Sequence, residues 1–374
     1  MVYDDIRAYD DADVPDVIDS LLRDNEFLEF ISQQTHPKLS RVLPRWTHNK
    51  LRDRLSRSLS GVQSVEAWQS TLAPLVKRLL ESSTTGVTIR GVEHIPAGPC
   101  VFVSNHRDIV MDPLLVNYAL MESEKKTCRV AIGDNLISKP FVGQLMRLNK
   151  SFVVKRSVTA RREKLESVQT LSSYIHDCIK HEHSIWIAQR EGRAKDNMDF
   201  TDTAVLKMLH MAGRKLGWSF RESMQFLNIV PVTINYEWDP CDIDKAKELY
   251  SIRQHGRYEK SSDEDFHSIL KGMKGQKGRV SVHFSPRVAL ASDNPDEWAQ
   301  KIDHFIHAAY DIFPSQQWAF DQLQHRSSNE QGIAKIWQKR FASVPVDLQT
   351  MAMQHYANTV SLKLAAQQSL DETL

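Results

Sequence analysis

The chain has 374 residues, 41% of them hydrophobic and 25% charged, and a formal net charge of +1. This composition excludes disordered and collagen-like chains, and the length suffices for one large domain with an accessory one, at about 100–200 residues per domain. With so little net charge, any attraction for anions must come from local clusters.

The first residues, "MVYDDIRAYDDADVPDVIDS", are acidic and lack the basic start and apolar core of a secretory signal, so a cytoplasmic location is expected. Residues 12–33 place Val14, Val17, Ile18, Leu21, Leu22, Phe27, Leu28 and Ile31 near a helical period, which predicts an amphipathic helix. The basic stretch from His36 to Arg57, with Leu39, Val42, Leu43, Trp46 and Leu51, has two readings: a face resting on an anionic membrane, or a helix face packed on the catalytic domain, the commoner outcome. A second helical run, "SVEAWQSTLAPLVKRLLESS", completes a predicted N-terminal helical subdomain, residues 1–85.

At Gly86 the pattern changes to short apolar runs punctuated by Gly91, Pro96, Gly98 and Pro99, read as two strands around a turn. Apolar strands then alternate with helical segments: "CRVAIG", "SFVVKR", "IWIAQ", "NIVPVTINYEW" and "RVSVHFSPRV" are the strands. The predicted fold class is therefore α/β, a mixed, largely parallel sheet covered by helices. Residues 86–295 form the expected catalytic domain, and residues 296–374 return to helical periodicity. "KGMKGQKG", with Gly272, Gly275 and Gly278, precedes a strand and no helix, so it is not a nucleotide loop; it reads as a solvated turn or mobile basic loop. No run reaches the roughly 18 apolar residues of a membrane span, and "IVMDPLLVNYALM" contains Asp112, so membrane contact is expected to be peripheral. The four cysteines, Cys100, Cys128, Cys178 and Cys241, show no metal spacing and no disulfide framework, as in a reducing compartment.

"SNHRDIVMDP", residues 104–113, lies where an apolar strand gives way to a helix. Asp is a favoured N-cap and Pro a favoured first helical residue, so the helix is expected to open at Asp112 and Pro113, with His106 on the preceding loop. A His there can meet the Asp, whose carboxylate would fix the ring's tautomer and strengthen the other nitrogen as a base. The same residues also fit a structural His and a simple cap. "HRD" by itself is not a kinase loop, since the Gly-rich loop and "DFG" are missing. Two more strand ends carry polar chemistry: Lys155 and Arg156 after "SFVV", and Arg190, Glu191, Gly192, Arg193 and Lys195 after "IWIAQ". Gly192 permits a tight turn, and the cations suit a phosphate.

Together these blocks resemble the glycerophospholipid acyltransferases, closer to the glycerol-3-phosphate branch. "SNHRDIVMDP", "FVVKRS", "IWIAQREGR" and "IVPVTINYE", the last built around Pro231, follow the family's order, and the likeness covers roughly residues 86–290. The family places four residues between its His and Asp; here five separate His106 from Asp112, so Asp108 is a second candidate partner, with Asp112 preferred because Pro113 follows it. In the third block Gln189 and Arg190 replace the usual Phe-Pro. The resemblance implies acyl transfer from an acyl-CoA or acyl-carrier-protein thioester to a hydroxyl of glycerol-3-phosphate or 1-acylglycerol-3-phosphate in phospholipid biosynthesis. His106 would be the general base and Asp112 its orienting acid, while Lys155, Arg156, Glu191, Gly192 and Arg193 would serve the acceptor. No metal or cofactor beyond the thioester co-substrate is implied, nor nucleic acid. The expected location is cytoplasmic, peripherally on the inner face of a membrane. The alternatives are an inactive family member acting as a lipid- or carrier-binding scaffold, and acyl transfer to a non-glycerol lipid.

Overall fold

The computed structural model describes residues 3–35, 37–137, 139–261, 263–327 and 331–371. Seven strands occur among them: β1 (Gly86–Arg90), β2 (Val101–Ser104), β3 (Arg129–Gly133), β4 (Ser151–Val154), β5 (Ile185–Ala188), β6 (Ile229–Tyr236) and β7 (Arg279–Phe284). The chain divides into two compact units, residues 1–77 with 129–174 and residues 78–128 with 175–374. The division cuts across the linear segments 1–85, 86–295 and 296–374, because residues 129–174 cluster with the N-terminal helices.

In the first unit the predicted helix over 12–33 is two helices, Val14–Arg23 and Asn25–Thr35. The break falls at Asp24, whose carboxylate accepts from the Glu26 and Phe27 amides at 2.8 and 3.1 Å and so caps the second helix. Phe27, Leu28, Trp68, Phe141 and Leu148 anchor this unit's core. β3 and β4 pair in parallel, and the Val153 amide on β4 donates to the Ile6 carbonyl at 2.8 Å. The basic stretch forms the helices Pro37–Val42 and Pro44–Leu59; His36 lies outside the described residues. Leu51 packs against the core. Leu39, Val42, Leu43 and Trp46, in contrast, stay 43%, 75%, 53% and 47% exposed, so the expectation of a packed face does not hold for them.

In the second unit the strand order is β1-β7-β6-β2-β5, parallel except for the antiparallel pair β6 and β7. β2 and β6 are buried at every position, the mark of interior strands covered on both faces. β1 and β2 are separated by β7 and β6, so the turn between them joins strands that do not pair. Four C-terminal helices, Pro295–Ala308, Pro314–Leu323, Gln331–Phe341 and Val346–Asp371, follow. Trp238, Trp318, Trp337, Phe341 and Tyr356 form an aromatic core among them.

The "KGMKGQKG" stretch departs from its reading as a solvated turn. Its first half completes the helix Glu264–Lys274, and Lys277 is fully buried. The Lys277 ammonium donates to the Met273 and Gly275 carbonyls at 3.2 and 2.9 Å, closing the helix end. Burial pushes that ammonium down to about 8, against the raising effect of Asp108. Among the described residues, no helix is long and apolar enough to cross a membrane.

Candidate active site

β2 ends at Ser104, and the next residue extends its pairing by other means. The Asn105 amide donates to the Ile234 carbonyl and accepts from the Ile234 amide, both at 2.8 Å, so the side chain makes the next rung against β6. His106 follows in a loop held on both backbone faces. Its amide donates to Asp199 Oδ2 at 2.7 Å, and its carbonyl accepts from the Ala194 amide at 2.9 Å.

The His106 ring meets Asp112: Nδ1 donates to Oδ2 at 2.8 Å. Oδ2 also accepts the Arg107 and Asp108 amides at 2.6 and 2.9 Å, and Oδ1 accepts the Tyr236 hydroxyl at 2.6 Å. Four donors converge on one fully buried carboxylate, three of them on Oδ2 and one on Oδ1. With the Nδ1 proton committed to Asp112, the neutral ring presents its lone pair on Nε2. The His106 side chain is 14% exposed, and Trp186 packs edge-on against it at 5.7 Å between centroids.

The helix opens two residues earlier than expected, with Met111 and not Pro113 as its first residue, and Asp112 is not its cap. Asp108 has that role: its Oδ1 accepts the Val110 and Met111 amides at 3.1 and 2.9 Å. The two aspartates of the motif thus divide the work, Asp108 on the helix end and Asp112 on the ring. Burial raises the Asp108 carboxyl above the ordinary range, and the Asp112 charge adds to this. A Cβ on Gly272 would lie 2.0 Å from Asp108 Oδ2, so the bare backbone there makes room for the cap.

The loop after β5 reaches the same place. The Gln189 amide donates to the Ser104 carbonyl at 2.8 Å, bringing residues 189–199 beside the His106 loop. Gly192 adopts φ +78° with open space around its Cα, so its backbone conformation, and not crowding, favours glycine. Glu191 is exposed. Arg193 is partly buried and close enough to Asp108 and Lys195 to act on the ionisation of both. Lys195 pairs with Glu248 at 2.5 Å.

Lys155 and Arg156 lie in the first unit, after β4. Lys155 forms an ion pair with Asp5 and lines a cavity of about 340 Å³ with Asp5, Glu163 and Glu166, a largely acidic setting. The Arg156 guanidinium lies over Gly133, where a Cβ would approach it to 3.2 Å.

Several residues at the site were not singled out by sequence. Asn105 and Tyr236 sit inside quoted blocks, but only the strand register reveals that they reach Ile234 and Asp112. Asp199 follows a polar run with no periodicity. Its carboxyl is raised by burial, the His106 amide lowering it in part. Among the described residues no three His, Cys, Asp or Glu side chains are grouped to hold a metal ion.

Residues 86–235, which carry most of this geometry, match the model of the family described as Acyltransferase. Among solved structures the chain is similar to the 1-acyl-sn-glycerophosphate (LPA) acyltransferase PlsC from Thermotoga maritima, at 15% identity and a TM-score of 0.38 over 82% of this chain and 100% of that one. No curated protein matches the chain.

Proposed function

We propose that the chain transfers a fatty acyl group from an acyl-CoA or acyl-carrier-protein thioester to a hydroxyl of glycerol-3-phosphate or 1-acylglycerol-3-phosphate in phospholipid biosynthesis. The observation that carries this reading is the His106–Asp112 pair, with Asp112 held by four donors and Nε2 free of any protein hydrogen bond among the described residues. Nε2 takes the proton of the acceptor hydroxyl as its oxygen attacks the thioester carbonyl. The tetrahedral intermediate collapses, the C–S bond breaks, and the imidazolium returns the proton to the departing thiolate. The ester forms with no acyl-enzyme. General base action accounts for about 10²–10⁴-fold of the rate, so binding of the acceptor's phosphate must provide further positioning. Arg193, with Glu191 and the Gly192 turn, is our first candidate for that role, and Lys155 and Arg156 are further ones.

The reading includes peripheral contact with an anionic membrane on the cytoplasmic side. It is supported by exposed Leu39, Val42 and Trp46 on two helices, and Leu43 between them, in a stretch that carries seven Lys and Arg against the single Asp53 between residues 37 and 59. The test is transfer from a long-chain acyl-CoA to glycerol-3-phosphate or lysophosphatidic acid, with wild type and His106→Ala side by side. A loss of at least about 100-fold in the variant is expected. Equal rates reject the mechanism, and a folded wild type that transfers nothing to either acceptor rejects the function.

A further inference from the structure

Two buried charges that the proposed mechanism does not use lie directly behind the His106 loop. Lys245, on the helix Asp242–His255, is 2% exposed in its side chain, and Asp239 is 8% exposed. The Lys245 ammonium donates to Asp239 Oδ2 at 2.5 Å and to the Arg107 carbonyl at 2.8 Å. That carbonyl belongs to the same peptide group as the Asp108 amide, which donates to Asp112 Oδ2 at 2.9 Å. One planar group is therefore gripped at both ends, by an ammonium on its oxygen and, on its N–H, by the carboxylate that orients His106. The pair is anchored in turn from the C-terminal helix Val346–Asp371. His355 Nε2 lies 3.4 Å from Asp239 Oδ2, while Nδ1 donates to the Lys195 carbonyl at 2.8 Å. Burial acts to raise the Asp239 carboxyl, but Lys245 and His355 outweigh it and hold it well below the ordinary range.

We propose that Lys245 is a positioning residue for the transfer, an inference that rests on the acyl-transfer reading above. A buried ion pair is often replaceable by apolar residues without loss of stability, so stability alone does not account for one placed here. An ammonium on the carbonyl polarises the peptide and strengthens its N–H as a donor. Lys245 thereby fixes both the direction and the strength of one of the four bonds on Asp112, and through Asp112 the aim of the His106 ring. Lys245 and His355 both lie outside the segment 86–235 that matches the family model.

The experiment replaces the pair together, Asp239→Asn with Lys245→Met, so that net charge at the site is unchanged and the apolar stem is kept. Three quantities are read: the melting temperature, kcat and KM for both substrates, and the titration of the His106 ring by NMR. The groups facing that ring are Asp112 and, through the backbone, Asp199; Tyr236, Asp108 and Arg193 lie one step back. The expected result is a folded protein whose kcat falls by about 10- to 100-fold while both KM values stay within about twofold. The His106 titration should move to higher pH, because an Asp112 with a weakened donor has more charge to offer the imidazolium. Asp239→Asn with Lys245→Gln keeps a neutral donor for the carbonyl and should recover most of kcat. Wild-type kcat with an unmoved titration in the Met form, or equal kcat in the two double variants, overturns the proposal. If the Met form does not fold, the wild-type Asp108 amide decides: strong protection from hydrogen exchange supports the clamp, and rapid exchange overturns it. A wild type without transferase activity would sink the function reading, whereas the His106 titration and the Asp108 amide test the clamp without it.

Discussion

His106 and Asp112 meet at 2.8 Å while a third residue, Asp108, which lies between them in sequence, caps the helix that carries Asp112. Relieved of capping, Asp112 turns its whole carboxylate to the ring, two backbone amides and Tyr236. The extra residue between the His and the Asp is absorbed in a loop whose amides point inward at Asp112, so the longer spacing leaves the contact intact.

The division of labour predicts opposite outcomes for two similar substitutions. Asp108→Asn retains the oxygen that caps Val110 and Met111, and it removes a carboxyl whose charged form is disfavoured by burial and by Asp112. Its kcat/KM should stay within about tenfold of wild type and its stability should be equal or higher. Asp112→Asn should lose about 10²–10⁴-fold, since an amide permits the wrong ring tautomer. Steady-state acyl transfer and urea unfolding of both variants check this, and a reversed ranking would assign the ring to Asp108.

Arg193 and Lys155 are separated by their surroundings. Lys155 is engaged with Asp5 beside Glu163 and Glu166, whereas Arg193 makes no hydrogen bond or ion pair among the described residues. Arg193→Ala is therefore expected to raise KM for the phosphorylated acceptor by about tenfold or more, with KM for acyl-CoA unchanged, and Lys155→Ala to raise it less. Initial rates at varied acceptor concentration decide between them.

Asp303 predicts a pH dependence of stability. Thr201 donates to its Oδ1 through both amide and hydroxyl, at 2.7 and 2.6 Å, yet burial outweighs these bonds and raises the carboxyl to about 6. The folded value lies above the ordinary 3.8, so this contribution is fully present below about pH 4 and is lost as the pH rises through about 6. Asp303→Asn keeps an oxygen for Thr201 and should melt higher than wild type at pH 7.5, by a few degrees on the order expected for 1–2 kcal/mol, with the gain vanishing near pH 4. Melting curves across that range test the sign.

The exposed apolar side chains of the basic helices predict vesicle binding. Val42→Glu with Trp46→Glu should cut the bound fraction on anionic vesicles by about tenfold, while melting temperature and transfer to soluble glycerol-3-phosphate stay unchanged. Cosedimentation with vesicles of phosphatidylglycerol and neutral lipid measures it; undiminished binding places the membrane contact elsewhere.

Sequence periodicity identified the strands well because β2, β5 and β6 are short apolar runs bounded by polar turns. His106 and Asp112 were legible for a similar reason, as polar groups crowded at a strand end. Lys277 was not, because a Lys among glycines looks solvated until its neighbours in space are known, and here the carbonyls of a finishing helix draw it inside. Asp108 and Asp112 offer the same two oxygens on paper, and only the path of residues 107–111 determines which one the helix amides reach. Asp239, Lys245 and His355 come from distant stretches with no shared spacing, so their meeting behind Arg107 is a product of tertiary packing.

The backbone of His106 is grasped by Ala194 on one side and Asp199 on the other, both from the loop after β5 that also displays Glu191 and Arg193. An alteration of that loop that suits a bulkier or differently charged acceptor will tug on the imidazole at the same time. On the function proposed above, acceptor choice and turnover are mechanically joined, and variants selected for a new acceptor should carry compensating changes at residues 194 to 199.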